Sequence, residues 1–522
     1  MRDAEGYPRR WSALVVLCTA VLIVNVDNTI LNVALPTLVR TLHATSSQLQ
    51  WIVDSYAVVF AGLLLVGGSL ADRFGRKRFF LTGLTVFVTG SLGAAFCGSV
   101  NALIAWRAAM GAGAALTMPA TLSIINDMFR DPAERARAIG AWAGTSGLGI
   151  AIGPIAGGLL LSRFWWGSVF LVNVPIVVAG VVGALAVVPD SKKPFASRPD
   201  PAGSVLSMVG LGLLLWAIIE APGRGWTSTV VVGIGTLSIV VLAIFVGWEW
   251  RTRHPMMPLS FFSDRRFSIA AAGELLGVFG LFGALFIQTQ FLQFDLGYSA
   301  LQAGLRILPI AAVLALTAPM SPLLAHAVGA RSTVAAGLLA IAGGLWQISL
   351  VSAGGTTYPQ VLPGMMLIGL GAGLLMPTAT NSVVGSVPRG DAGVGSASNG
   401  VAIQVGGALG VAVLGSTLST RYQAHLTGVL ASHAVPAAAS HTILGSLGGA
   451  LTVANTVGGT TGAVLTQTAR AAFMSGSALA LGVGAAVALA GALLVIARLP
   501  STTKARPQES QRLSEGADQV SR

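Results

Sequence analysis

The chain has 522 residues, 54% of them hydrophobic and only 10% charged, with a formal net charge of +12. Soluble globular chains carry about 25% charged residues, so most of this surface does not face water, and a soluble enzyme or binding module is excluded. The positive charges fall in short connections between apolar runs, a pattern set by membrane topology and not by nucleic-acid binding.

A helix needs about 20 apolar residues to cross the hydrocarbon of a bilayer. By that measure the sequence predicts an all-α integral membrane protein with about 14 spans. Six lie near 12–36, 50–70, 79–98, 102–125, 138–161 and 167–188, and two more near 204–220 and 229–248. The last six lie near 268–289, 304–325, 333–352, 360–383, 395–418 and 474–497. The first run is too long for a signal peptide, contains Asp27 and lacks a small-residue cleavage site, so it reads as a retained helix. With the N terminus in the cytoplasm, cytoplasmic tails and loops hold 24 of the 31 Lys and Arg residues and outer loops hold 6. That bias sets the expected orientation, with both termini cytoplasmic. Arg107 is the one cation left inside a span. Cys18 and Cys97 lie far apart within apolar runs, which argues against a disulfide or a metal site.

The motifs follow in chain order. Span one closes on Asp27-Asn28-Thr29-Ile30-Leu31-Asn32-Val33-Ala34-Leu35-Pro36, and Asp54 stands about one turn into span two from the outside. Gly68-Ser-Leu-Ala-Asp72-Arg73-Phe-Gly75-Arg76-Lys77-Arg78 joins spans two and three. There Gly75 permits a tight turn, and Asp72 can pair with an arginine of the loop or of a neighbouring helix end. Span four carries Trp106-Arg107-Ala-Ala-Met110-Gly111. Span five carries Gly149-Ile-Ala-Ile-Gly153-Pro154-Ile-Ala-Gly157-Gly158. Glycines four apart let helix backbones approach closely, and Pro154 removes one backbone hydrogen bond and kinks the helix. Val-Phe-Leu-Val-Asn173-Val-Pro175 opens span six, and Glu274 lies about two turns into span nine.

A charged side chain inside a bilayer costs roughly 2.5–3.5 kcal/mol on insertion scales, so Asp27, Asp54, Arg107 and Glu274 are the candidate functional groups. A buried carboxylate near a cation can load and release a proton as its surroundings change. Asp27 with Arg107 is the favoured pairing. A purely structural ion pair is the alternative for these two, and simple hydration at the outer membrane surface is the alternative for Asp54.

Residues 111–119 (GAGAALTMP) and 369–377 (GLGAGLLMP) agree at most positions, in spans four and twelve. A weaker echo pairs ADRFGRK at 71–77 with AHAVGAR at 325–331, after spans two and ten. Both relate span n to span n + 8, which predicts two six-helix halves with two helices inserted between them. The expected boundaries are 1–188 for the first half, 189–266 for the inserted pair and linkers, 267–498 for the second half and 499–522 for a disordered cytoplasmic tail. The longest outer connection is 420–472, and its mildly apolar stretch 439–468 is expected on the outer membrane surface.

The 68–78 string resembles the loop-two signature of the major facilitator superfamily. The Gly149–Gly158 string resembles that family's antiporter signature, found mainly in exporters. The span-one and span-six strings resemble its 14-span drug:proton antiporter branch. The resemblance covers essentially the whole chain and implies export of small amphipathic molecules in exchange for protons. It implies a conformational latch formed by Gly68, Asp72, Arg73, Gly75, Arg76 and Lys77. It also implies coupling to the proton motive force without a cofactor or metal, a multi-pass setting in a bacterial inner membrane, and a monomeric unit. Two departures stand out: Met110 occupies a position where the family often has Gln, and His326 stands where a second latch would carry the counterpart of Asp72. A nutrient facilitator is the competing transporter reading. A membrane enzyme acting on lipid is the competing class, but it would need a nucleophile or metal cluster at an interface. No GxxxxGK[ST] loop for nucleotide is present.

Overall fold

A computed structural model describes residues 7–192, 199–252, 255–352, 355–388, 392–431 and 436–500. Of the expected tail 499–522, residues 501–522 lie outside the described residues. All regular structure among the described residues is helical. The first half comprises α1 (Arg10–Leu42), α2 (Ser46–Phe74), α3 (Arg76–Phe96), α4 (Val100–Met128), α5 (Pro132–Arg163), α6 (Ser168–Leu171) and α7 (Asn173–Val187). The inserted pair is α8 (Pro201–Arg224) and α9 (Thr229–Arg251). The second half comprises α10 (Arg265–Gln290), α11 (Ala300–Thr317), α12 (Met320–Val328), α13 (Ala330–Val351), α14 (Tyr358–Gly385), α15 (Ala392–Ala431), α16 (Ala437–Gly445), α17 (Leu447–Val457) and α18 (Gly459–Arg498). Every predicted span has its helix. Thirteen segments are long and apolar enough to cross a membrane among the described residues, and α5 adds a further 32-residue helix with a shorter apolar part.

Local chemistry explains where helices stop. Thr45 and Ser299 form capping boxes with Gln48 and Gln302, so α2 and α11 start with their free N–H groups satisfied. Two spans are broken. The span near 304–325 divides into α11 and α12 at Pro319, and the sixth divides into α6 and α7 two residues before Pro175.

The repeat is physical. A Cβ on Gly111 of α4 would run into the backbone of Tyr56 on α2, and a Cβ on Gly369 of α14 would run into the backbone of Ile310 on α11. Gly113 lies against Gly83 and Phe87 of α3, and Gly371 against Gly337 and Ile341 of α13. The turn after α2 and the turn after α12 both use a glycine in the positive-φ region, Gly75 (φ 118°) and Gly329 (φ 90°). Each donates its N–H to the residue four before it, Ala71 and Ala325. The small side chains are thus fixed by backbone approach in both halves. Between these turns and the glycines of α4 and α14 the halves differ in length mainly in the connector, 97–99 against 352–357, which absorbs extra residues at little cost; the larger difference lies between α15 and α18, where the second half adds α16 and α17.

Call the end that carries the Gly75 turn the basic face and the opposite end the far face. The halves meet mainly along two seams, α5 against α11 and α2 against α15, and Gln293 donates across to the Val33 carbonyl of α1 at 2.9 Å. The contacts lie toward the far face. Gly158 approaches the Leu301 Cα, Gly304 approaches the Pro154 backbone, and Ser416 donates to Gln50 at 3.2 Å. The other glycines of the α5 string serve the first half internally: Gly149 packs on Asn25, Gly153 on Thr29 and Ile30, and Gly157 on Ile30. Thr29 donates its hydroxyl to the Gly149 carbonyl at 3.0 Å.

The outer connection differs from expectation. Helix α15 continues to Ala431 and α18 begins at Gly459, because neither stretch holds a proline to stop it. Between them α17 rests on the far end of the bundle and not on the membrane surface. Gly448 fits against Phe294 and Val39, and Tyr422 donates to the Ile443 carbonyl at 2.9 Å. The segment therefore touches both halves.

Gly153→Leu is expected to destabilise the protein by about 1–3 kcal/mol, because the added side chain overpacks the α1–α5 contact. A thermal unfolding midpoint in detergent checks this against Gly140→Ala on the same helix, where nothing lies within 4 Å of an added Cβ. Equal midpoints for the two variants would reject the packing account.

Candidate functional site

Helix α1 carries Asp27 into the middle of the first half, where the side chain is fully buried. Arg107 of α4 donates to Asp27 Oδ2 and, through Nε, to the Ile52 carbonyl at 3.1 Å. Asn173 of α7 donates to Asp27 Oδ1 at 2.9 Å and contacts Ser91 Oγ at 2.9 Å, while Ser91 donates to the Phe170 carbonyl at 2.8 Å. The guanidinium lies 4.4 Å from the ring centroid of Tyr56, a cation–π contact that strengthens when desolvated. Five helices thus converge on one pair of charges. In the second half the glycine correspondences place Met365 where Arg107 stands and Ile310 where Tyr56 stands. The charge centre belongs to the first half alone.

The other two carboxylates stand apart from it. Asp54 lies two turns inside α2, because the helix begins at Ser46, and it is buried with neither oxygen partnered among the described residues. It shares the α2 face that meets α15, one turn from Gln50 and one turn from Val58. Hydration at a membrane surface is therefore not its setting. Glu274 of α10 accepts a hydrogen bond from Thr380 of α14 at 3.0 Å, and Asn399 of α15 donates to the same Thr380 hydroxyl at 3.1 Å. Its second oxygen has no partner among the described residues.

The 68–78 turn is tied to its own half. Arg76 Nε pairs with Asp72 Oδ1 at 2.7 Å, and Arg76 Nη1 reaches the Ser123 carbonyl at 3.3 Å and Asp127 at 3.8 Å at the end of α4. Lys77 donates to the Leu185 carbonyl of α7 at 3.1 Å. Arg73 sits over the Phe74 ring at 5.5 Å. Gly68 lies against Pro119, with the nearest side-chain carbon 3.3 Å from where a Cβ would stand. The partners of these polar side chains among the described residues all belong to the first half. At the matching turn His326 is exposed.

A cavity opens between α1, α5, α10 and α11, at the junction of the halves. Thr29, Asn32 and Pro154 reach its wall, whereas Asp27, Asp54, Arg107 and Glu274 do not. Sequence reasoning brought Asp27 and Arg107 together but missed Tyr56, Ser91, Thr380 and Asn399. Uncharged polar residues in a span are too common to single out. Asn173 did carry a signal, as the polar residue inside the span-six string.

The Major Facilitator Superfamily profile matches residues 17–411. The multidrug efflux pump LfrA of Mycolicibacterium smegmatis is 35% identical over 93% of this chain and 96% of its own length. The tetracenomycin C resistance and export protein of Streptomyces glaucescens is 32% identical over 96% and 93%. A puromycin resistance protein of Streptomyces alboniger is 35% identical over 83% and 86%. Among solved structures, a bacterial homologue of the lysosomal transporter Spinster superposes with a TM-score of 0.65 at 17% identity, covering 95% of this chain and 99% of that one. A peptide transporter superposes with a TM-score of 0.63 at 16% identity over 95% of each chain. The sequence matches run through both halves of the repeat, and the solved structures share its fold: the chain belongs to the Major Facilitator Superfamily.

Proposed function

We propose that this chain exports small amphipathic molecules, antibiotics or secondary metabolites among them, across a bacterial inner membrane in exchange for protons. The basic face is the cytoplasmic one and holds both termini. The rigid units are 1–188 and 267–498, joined through 189–266. One observation carries the coupling. A buried carboxylate shares its oxygens between a guanidinium and an amide, and both sit on helices that pack around α1. A proton arriving at Asp27 Oδ2 would displace Arg107, leaving it to the Ile52 carbonyl and the Tyr56 ring. The pair thereby has two arrangements, and proton binding biases which is occupied. Asp54 and Glu274 are secondary proton carriers, one at the α2–α15 seam and one inside the second half. The relatives named as efflux, resistance and export proteins support outward transport over a nutrient facilitator.

The Asp72–Arg76 unit acts as the latch. It fixes the basic-face ends of α2, α3, α4 and α7 as one piece, so that the first half moves as a body. The Gly149–Gly158 string provides the surface on which that body meets α11. Export requires the far-face contacts of Gly158 with Leu301 and Gln50 with Ser416 to part.

Transport by inverted vesicles is expected to depend on the proton gradient and not on ATP. Unchanged transport after collapse of both the pH gradient and the membrane potential would sink antiport. Asp27→Asn is expected to abolish proton-driven efflux while retaining substrate binding, and efflux at the wild-type rate would move coupling to Glu274 or Asp54. Arg107→Ala is expected to lose about 3–5 kcal/mol of stability through the uncompensated carboxylate. Arg107→Lys restores part of both stability and transport, since it keeps the charge but not the planar fork. Asp72→Asn is expected to cost less than about 1 kcal/mol, because the pair is partly exposed, yet to slow efflux several-fold at equal membrane abundance. Wild-type efflux by that variant would remove the latch.

A further inference from the structure

The wall of the cavity between α1, α5, α10 and α11 says which molecules the exporter accepts, an inference that rests on the exporter reading. Leu281, Phe282, Ile310 and Leu314 are representative of its surface, which is aliphatic apart from one phenyl ring and two polar residues of α1. Among the described residues no ionisable side chain lines it. The nearby carboxylates do not reach this wall: Asp27 is held by Arg107 and Asn173, Glu274 accepts from Thr380 through one oxygen, and Asp54 stands on the α2 face toward α15.

The two polar groups are themselves partly spent. The Thr29 hydroxyl has its one proton within reach of the Gly149 and Asn25 carbonyls, both at 3.0 Å. Asn32 Nδ2 donates to the Asn28 carbonyl at 3.1 Å. What Asn32 retains is its Oδ1 acceptor and its second N–H, one amide edge on an otherwise apolar wall.

The energetics decide the class. Burying uncharged ring surface gains about 25 cal/mol per Å², and a mostly apolar wall with a few placed polar groups is the usual character of a ligand site. A permanent cation would lose its hydration and find no carboxylate in return, and burying an unpaired charge is strongly unfavourable.

We propose that this cavity selects uncharged, ring-containing molecules with a carbonyl or hydroxyl that meets Asn32, and discriminates against permanent cations. Phe282 supplies a face for the ring. The amide of Asn32 orients the polar edge.

The test uses inverted vesicles holding the full-length chain under an imposed proton gradient. Uptake is measured for two uncharged compounds, chloramphenicol and Nile red, and for three permanent cations, ethidium, tetraphenylphosphonium and methyl viologen. The uncharged pair is expected to accumulate and the cations to stay at the level of empty vesicles. Asn32→Leu is expected to lower chloramphenicol uptake about tenfold, the loss of roughly one hydrogen bond to a buried group. Asn32→Asp is expected to admit cations while losing the uncharged pair. Cation uptake equal to or above that of the uncharged compounds by the wild-type chain would overturn the selectivity and leave the exporter reading standing. Chloramphenicol uptake unchanged in both Asn32 variants would also overturn it. Should either variant fail to reach wild-type abundance, the wild-type comparison alone decides. Uptake of none of the five compounds counts against the exporter reading, and the selectivity falls with it.

Discussion

A pair of opposite charges buried inside a membrane bundle is the constraint around which the first half is arranged. Neither Asp27 nor Arg107 is tolerable there alone, since each would carry an uncompensated charge in a low-dielectric interior. Holding them together recruits α1, α2, α3, α4 and α7, through the Ile52 carbonyl, the Tyr56 ring, Ser91 and Asn173. The same α1 that carries Asp27 lays Thr29 on the Gly149 carbonyl of α5. A change in the charge state of one residue therefore bears on the helix that forms a seam with the second half.

The second half repeats the frame without the charges. Its glycines hold the same backbone approaches, but Met365 and Ile310 fill the space of Arg107 and Tyr56. Close packing of helices in a membrane relies on small residues at the crossing points, so the glycines are constrained in both copies. The polar centre is not constrained by packing, and one copy suffices. Glu274 with Thr380 and Asn399 is a separate polar cluster that the first half does not mirror in kind.

Much of this was legible in the sequence, for physical reasons. Hydropathy and the distribution of Lys and Arg found all the spans, because a bilayer leaves few other ways to bury apolar runs and place charges. The Asp27–Arg107 pairing was legible because a charge inside a span is rare enough to demand a partner. Helix ends were less so: α15 and α18 run well past the apolar runs, where hydropathy is silent and helix propensity decides. The seat of α17 on Phe294 and Val39 was hidden, since a mildly apolar stretch fits a bundle end as well as a membrane surface. Asp54 was misjudged by one turn, because the capping box at Thr45 starts α2 earlier than its apolar run does.

The inserted pair gives the molecule a front and a back. Helix α8 lies along the α2–α15 seam, where Leu215 and Ile219 pack against Ala57, Val58, Ala408 and Ala412. Ser204 donates to the Gly62 carbonyl at 2.9 Å and Ser47 to the Ile219 carbonyl at 3.2 Å, while Trp226 ties the α8–α9 connection to Thr420 of α15 at 3.0 Å. That seam is solvated by protein. The α5–α11 seam has no such cover from α8 or α9. To the acyl chains around it the bundle thus presents two chemically unequal flanks, one where the seam lies behind α8 and one where α8 and α9 leave it uncovered.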